Sequence, residues 1–180
     1  MSKHISESRT ETLVLELLDI QGWLLNRPPR GQVLRKNEYK TIPEISEIFK
    51  GKSKSGMGDA YPDFVIVEKN SLRPQMIIEA KADENDFSEA MKEASQDYGE
   101  ACRQAHIPVI AVGVSGQEKT RIQCGALKYF NGKWTPITYA GRNISWIPTP
   151  EDISRLILTN YLLDLSPVVP RPEVLANRAT

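Results

Sequence analysis

Three residues in the stretch GDAYPDFVIVEKNSLRPQMIIEAKAD, from Gly58 to Asp83, have types and spacing that suit chemistry: Asp63, Glu79 and Lys81. Two short apolar runs, Phe64 to Val67 and Met76 to Ile78, flank a polar turn. Continuous β-branched runs of this length predict strands covered on both faces. Residues two apart in a strand share a face, so Glu79 and Lys81 point together and Ala80 points away. With a turn centred near residues 71 and 72, Asp63 falls beside Glu79 or Lys81. Either register sets two carboxylates and an ammonium on one face, at the open end of a hairpin.

Converging carboxylates repel one another, and burial raises their pKa unless a cation compensates. Mg²⁺ suits such a place because it takes hard oxygen ligands and keeps several waters. A site of this kind polarises a phosphoryl oxygen and lowers the pKa of a bound water. The lysine can orient or help deprotonate that water and offset developing negative charge. Together these are the requirements for hydrolysing a phosphodiester. The plain alternative is a strand-end salt bridge on the surface, which contributes little and rarely needs two acids.

The elements around the hairpin follow from periodicity. Leu13, Val14, Leu17 and Leu18 recur at helical spacing and predict a helix from about Ser8 to Ile20. Ser8-x-x-Glu11 reads as its capping box, and Gly22 as its stop. Pro28, Pro29 and Gly31 mark a loop, with a short strand around Val33, and Thr41-x-x-Glu44 opens a short helix to Phe49. GKSKSGMG reads as a mobile loop that enters the Asp63 strand and brings Lys52 and Lys54 beside the site. Asp86-x-x-Glu89 caps a second helix, about Phe87 to Ala105, and Pro108 to Val114 is a further buried strand. Asn131-Gly132 joins two more strands, and Thr149-Pro150-Glu151-Asp152 starts a last helix. A hairpin followed by a helical crossover implies an α/β fold whose central mixed β-sheet is flanked by helices.

Composition narrows the class. A chain of 180 residues with 40% apolar content is expected to form one globular domain, here residues 1–164, with 165–180 a Pro-rich tail or linker. No apolar run is long enough to cross a bilayer and the N-terminus has no signal-peptide layout, so a cytoplasmic location is expected. Cys102 and Cys124 form no CxxC pair, and His4 and His106 are far apart, which argues against a zinc site. The net charge of zero gives no support to strong autonomous DNA binding. Basic residues do cluster locally, at Arg27, Arg30, Arg35, Lys36 and Lys40 and at Lys50, Lys52 and Lys54. They fit a solvated loop surface or a phosphate-contacting edge equally well.

Pro62-Asp63 followed by Glu79-Ala80-Lys81 resembles the signature of PD-(D/E)XK nucleases. RTETLVLELLDIQGW, GDAYPDFVIV, IIEAKAD and IPVIAVGVSG are similar to the nuclease domain that opens type I restriction R subunits and related restriction-modification polypeptides. The likeness spans roughly Thr10 to Gly116. It implies a restriction-endonuclease-like fold with an αβββαβ core. It also implies a metal-dependent endonuclease that cuts double-stranded DNA to a 5′-phosphate and a 3′-hydroxyl. Mg²⁺ would be the cofactor, with Mn²⁺ as a substitute, and Asp63, Glu79, the Ala80 carbonyl and Glu11 would be its ligands. Lys81 would handle the water, and Gln96 in the second helix would be a weaker DNA-binding candidate. Similar domains precede a helicase motor or an adenine methyltransferase and specificity unit, so further domains or subunits are expected partners. A non-cleaving DNA-binding or scaffold module of the same fold is the rival, as is a repair or RNA nuclease of the superfamily.

Overall fold

The computed structural model describes residues 7–51, 60–159 and 162–166. Helix α1 (Glu7–Ile20) buries Thr10, Leu13, Val14 and Leu18, one side of the expected stripe. The capping box does not form. Ser8 lies inside the helix, where its carbonyl accepts from Thr12 Oγ1 at 2.9 Å. Glu11 is therefore directed elsewhere. Gly22 ends the helix in the left-handed region, and Trp23 is buried with its Nε1 donating to Pro148 O at 2.9 Å.

Six strands form one mixed sheet in chain order: β1 (Val33–Arg35), β2 (Phe64–Val67), β3 (Pro74–Lys81), β4 (Ile110–Ser115), β5 (Gln123–Phe130) and β6 (Lys133–Pro136). Neighbours are antiparallel except β3 and β4, which run parallel. A parallel pair needs a crossover, and the helix that runs between them supplies it. Phe64 pairs with Ile78 and Val65 with Ile77, so Asp63, Val65, Ile77 and Glu79 share a face, before a register shift between Ile66 and Val67.

Even and odd positions feed two cores. Phe64, Ile78, Val112 and Val114 pack with Val14 and Leu18 of α1 and with Ile153 and Leu156 of α5 (Pro150–Leu158). Val65, Val67 and Ile77 pack on the opposite face with Tyr39, Phe49, Tyr98 and Cys102. Each such fully buried side chain stabilises the fold by about 1.5–3 kcal/mol. This two-sided burial is why the strands read as continuous apolar runs.

The crossover departs from the single helix expected over Phe87 to Ala105. It is α3 (Phe87–Lys92), a π-helical segment (Glu93–Gly99) and α4 (Glu100–Gln104), after which Ala105 is exposed. Asp86 precedes it without a side-chain cap, while Asp83 caps the preceding turn by accepting from the Asn85 N–H at 2.8 Å. The helix lies close on the sheet because Gly113 and Gly125 face each other beneath it. A Cβ at Gly113 would come within 2.7 Å of the Met91 nitrogen.

The short helix α2 (Pro43–Ser46) follows Ile42 with no side-chain cap, and Thr41 Oγ1 donates to Glu38 O instead. Asn131 and Gly132 both have positive φ, as a two-residue hairpin turn of this type requires. The pattern Trp134 to Tyr139 predicts one second strand for that hairpin, but the strand ends at Pro136. Residues beyond it form a small separate hairpin, β7 (Thr138–Tyr139) with β8 (Arg142–Asn143), pinned by Asp164, whose carboxylate accepts from Thr138 Oγ1 and the Gly141 N–H. Thr149 and Asp152 form a full capping box at the start of α5. Leu165 is buried and its N–H donates to Thr138 O at 2.8 Å. No helix among the described residues is long and apolar enough to cross a membrane.

Candidate active site

The β2–β3 register brings Asp63 opposite Glu79 at the open end of the hairpin. Two hydrogen bonds lock them together. The Asp63 N–H donates to Glu79 Oε1 at 2.9 Å, and the Ala80 N–H donates to Asp63 Oδ2 at 2.8 Å. Both acids are only 5% exposed. Burial pushes the Asp63 carboxyl above its ordinary range, against the Ala80 hydrogen bond and the positive charges of Lys36 and Lys81. Glu79 is pushed up further, by burial first and then by the negative charge of Asp63.

Lys81 is one strand period beyond Glu79, and its Nζ lies 3.0 Å from Glu93 Oε2. Burial alone would lower the lysine pKa, but the hydrogen bond and charge of Glu93, with Glu79 and Glu7, outweigh it and hold the pKa above the usual value. The ammonium is thus kept protonated. It suits charge stabilisation and orientation of a water; in this arrangement it does not suit removal of the water's proton.

Helix α1 supplies more acid from the other side of the sheet end. Thr10 Oγ1 donates to Gly116 O at 2.7 Å and reaches Lys81 O at 3.5 Å, pinning the helix across the ends of β3 and β4. Glu7, one turn before that anchor, and Glu11, the residue after it, bring their carboxylates to Asp63. Carboxylate oxygens of Glu7, Glu11 and Asp63 all lie within 4.8 Å of one another. Burial raises the Glu11 pKa and Asp63 adds to it, while Arg35 and Lys36 oppose the rise. Arg35 lies 3.9 Å from Glu11, and Lys36 lies 3.8 Å from Asp63.

The donor set fits a hard divalent cation. The carboxylates close enough to share one ion are those of Glu7, Glu11 and Asp63, while Glu79 is held against the Asp63 backbone and is not one of that group. Burial raises the pKa of Glu11, Asp63 and Glu79, which a cation would relieve. Ala80 lies between the two catalytic candidates, with its side chain buried on the opposite face. Gln96 is exposed on the π-helical segment, so the helix does not deliver it to the strands. Lys52 and Lys54 lie outside the described residues, as does most of their loop.

Sequence reasoning did not find Glu7, Glu93 or the closeness of Lys36. Glu7 had a signal, being four residues before Glu11 on one helix face. Glu93 sits between Ala90 and Ala94, apolar residues four apart on the second helix, a place where an acid is out of keeping with its neighbours. In comparisons with known proteins, the chain matches no family model, no curated protein and no solved structure.

Proposed function

We propose that this chain is a metal-dependent endodeoxyribonuclease of the PD-(D/E)XK type, acting as the cleavage module of a restriction-modification system. The observation that carries this reading is the convergence of Asp63, Glu79 and Lys81 at the end of β2 and β3, with the two carboxyl groups buried and each held by a main-chain N–H of the facing strand. The order α1, β1, β2, β3, crossover helix, β4, with β3 parallel to β4, supports it as an αβββαβ arrangement.

In this function Asp63, Glu79 and Glu11, with the Ala80 carbonyl, would hold Mg²⁺ or Mn²⁺. When bound, the ion supplies an acidified water and a positive charge on a phosphoryl oxygen. The chain itself does the positioning. The Asp63 N–H holds the Glu79 carboxylate and the Ala80 N–H holds that of Asp63, so main-chain donors fix both. Lys81 holds its positive charge where negative charge develops during attack on phosphorus. Arg35 and Lys36, exposed beside the acids, suit contact with the flanking phosphates of double-stranded DNA. A zero net charge fits a domain whose DNA affinity and site choice come from a partner, such as a helicase motor or an adenine methyltransferase.

The test is incubation of the protein with supercoiled plasmid and Mg²⁺ or Mn²⁺, beside Lys81→Ala. Metal-dependent nicking or linearisation that Lys81→Ala lacks is the expected result. Equal cutting by both proteins, or none by the wild type, would count against the assignment.

A further inference from the structure

Glu79 and Lys81 are not held by their own hairpin alone. A third acid reaches them from the crossover helix. Glu93 is 4% exposed, its Oε2 lies 3.0 Å from Lys81 Nζ, and its carboxyl group is near enough to Glu79 to help push that acid's pKa up. One side chain thus pairs with the lysine of the E-x-K motif and acts electrostatically on its glutamate.

The local backbone explains how it gets there. Glu93 opens the π-helical segment Glu93–Gly99. A π turn inserts one extra residue into a helix, and such turns concentrate at functional sites. Here Glu93, Ala94 and Ser95 are buried in succession. In a regular α-helix three successive residues sweep about 200° of the circumference, and one of them would face away from the sheet. Ser95 Oγ donates to Met91 O at 2.7 Å, so a side chain answers a main-chain acceptor where the ladder widens. Gly113 pairs with Glu79 across β3 and β4, and its missing Cβ lets Met91 press onto the sheet beside the acid. The helix is therefore lowered onto the strand at the motif, and its π turn aims Glu93 into it.

We propose that Glu93 is the positioning residue of the E-x-K strand, holding the Lys81 ammonium and the Glu79 carboxyl in place from the crossover helix. It acts through Lys81 and Glu79 and does not itself meet the substrate. This rests on the nuclease reading for its catalytic consequence, but the physical hold on Lys81 is testable without it. Because Glu93 is buried behind the motif, its loss acts on turnover and leaves DNA affinity in place.

The experiment compares wild type, Glu93→Gln and Glu93→Asp in the full chain, each checked for native fold by circular dichroism. Steady-state cleavage of a duplex separates kcat from KM. Acylation of amines in the metal-free protein, mapped by mass spectrometry, reports on Lys81 against exposed Lys119 as the control. Glu93→Gln should lower kcat about a hundredfold with KM within about twofold of wild type, and Glu93→Asp should recover part of the loss. Lys81 should become several-fold more reactive in Glu93→Gln while Lys119 does not change. Wild-type kcat in Glu93→Gln, a loss confined to KM, or unchanged Lys81 reactivity would each overturn the proposal. If the wild type cuts no DNA, the nuclease reading falls, and the Lys81 reactivity alone then decides whether Glu93 holds the lysine.

Discussion

The main-chain N–H of Asp63 donates to the side chain of Glu79 at 2.9 Å, so the position of one acid is set by the backbone of the other. The two carboxyl groups are buried as a unit, and burial disfavours ionising both.

Replacing Glu79 with glutamine should abolish metal-dependent cleavage and raise the melting temperature of the metal-free protein at neutral pH. Glu79 has its pKa raised in the folded state, so the unfolded chain ionises first as pH rises. Stability is therefore full below the ordinary carboxylate range and is lost as pH climbs through the raised folded value. Melting curves of wild type and Glu79→Gln from pH 4 to 8 check this. The two should converge at the acid end and separate toward neutrality.

Mg²⁺ should reverse that loss. A cation that binds the folded state alone stabilises it by about 2.7 kcal/mol at a hundred times its dissociation constant. The melting temperature at neutral pH should rise with Mg²⁺ and fall back with a chelator. Glu79→Gln and Asp63→Asn should show a much smaller rise.

Gly113→Ala should destabilise the protein by about 1–3 kcal/mol, the usual cost of overpacking. Its Cβ would meet the Met91 backbone, which has no room to rotate away. Chemical denaturation measures the difference. Because the helix above carries Glu93, cleavage should drop as well, even at temperatures where the variant stays folded.

The two thiols should be inert in the native protein. Burial pushes both Cys102 and Cys124 up to about 12. Neither should react with a disulfide reagent at pH 8 until denaturant is added. Their raised folded values also mean that stability is lost as pH rises from the ordinary thiol range toward the folded value, as the unfolded chain ionises first. Rapid labelling of either thiol in the folded protein would contradict the burial.

DNA binding by this chain alone should be weak, with a dissociation constant on the order of micromolar or worse at physiological salt, as for non-specific binders. Lys52→Ala with Lys54→Ala, and separately Arg35→Ala with Lys36→Ala, should each flatten the salt dependence. Titration of a labelled duplex at two salt concentrations checks both. An unchanged slope would make these cations a solvated surface only.

Local pattern determined a good deal. The runs Phe64 to Val67 and Met76 to Ile78 are strands because β-branched residues buried on both faces have no other good place. The two-residue period alone puts Glu79 and Lys81 on one side, and the turn length puts Asp63 with them. Asn131-Gly132 and Thr149-Pro150 specify a turn and a helix start through their own backbone preferences. Tertiary structure decided the rest. Ser8 and Glu11 fit a capping box as well as any pair, but α1 begins earlier, and Thr10 anchored on Gly116 turns Glu11 toward Asp63. The hairpin at Ala140-Gly141 has no turn-favouring dipeptide and is held by Asp164 from more than twenty residues away. Glu93 is the clearest case. Helical period describes a ladder of equal steps, and a π turn breaks the step where packing against Gly113 and pairing with Lys81 outweigh the cost of a wider ladder. Those energies come from residues distant in the chain, so no window of neighbouring residues contains them.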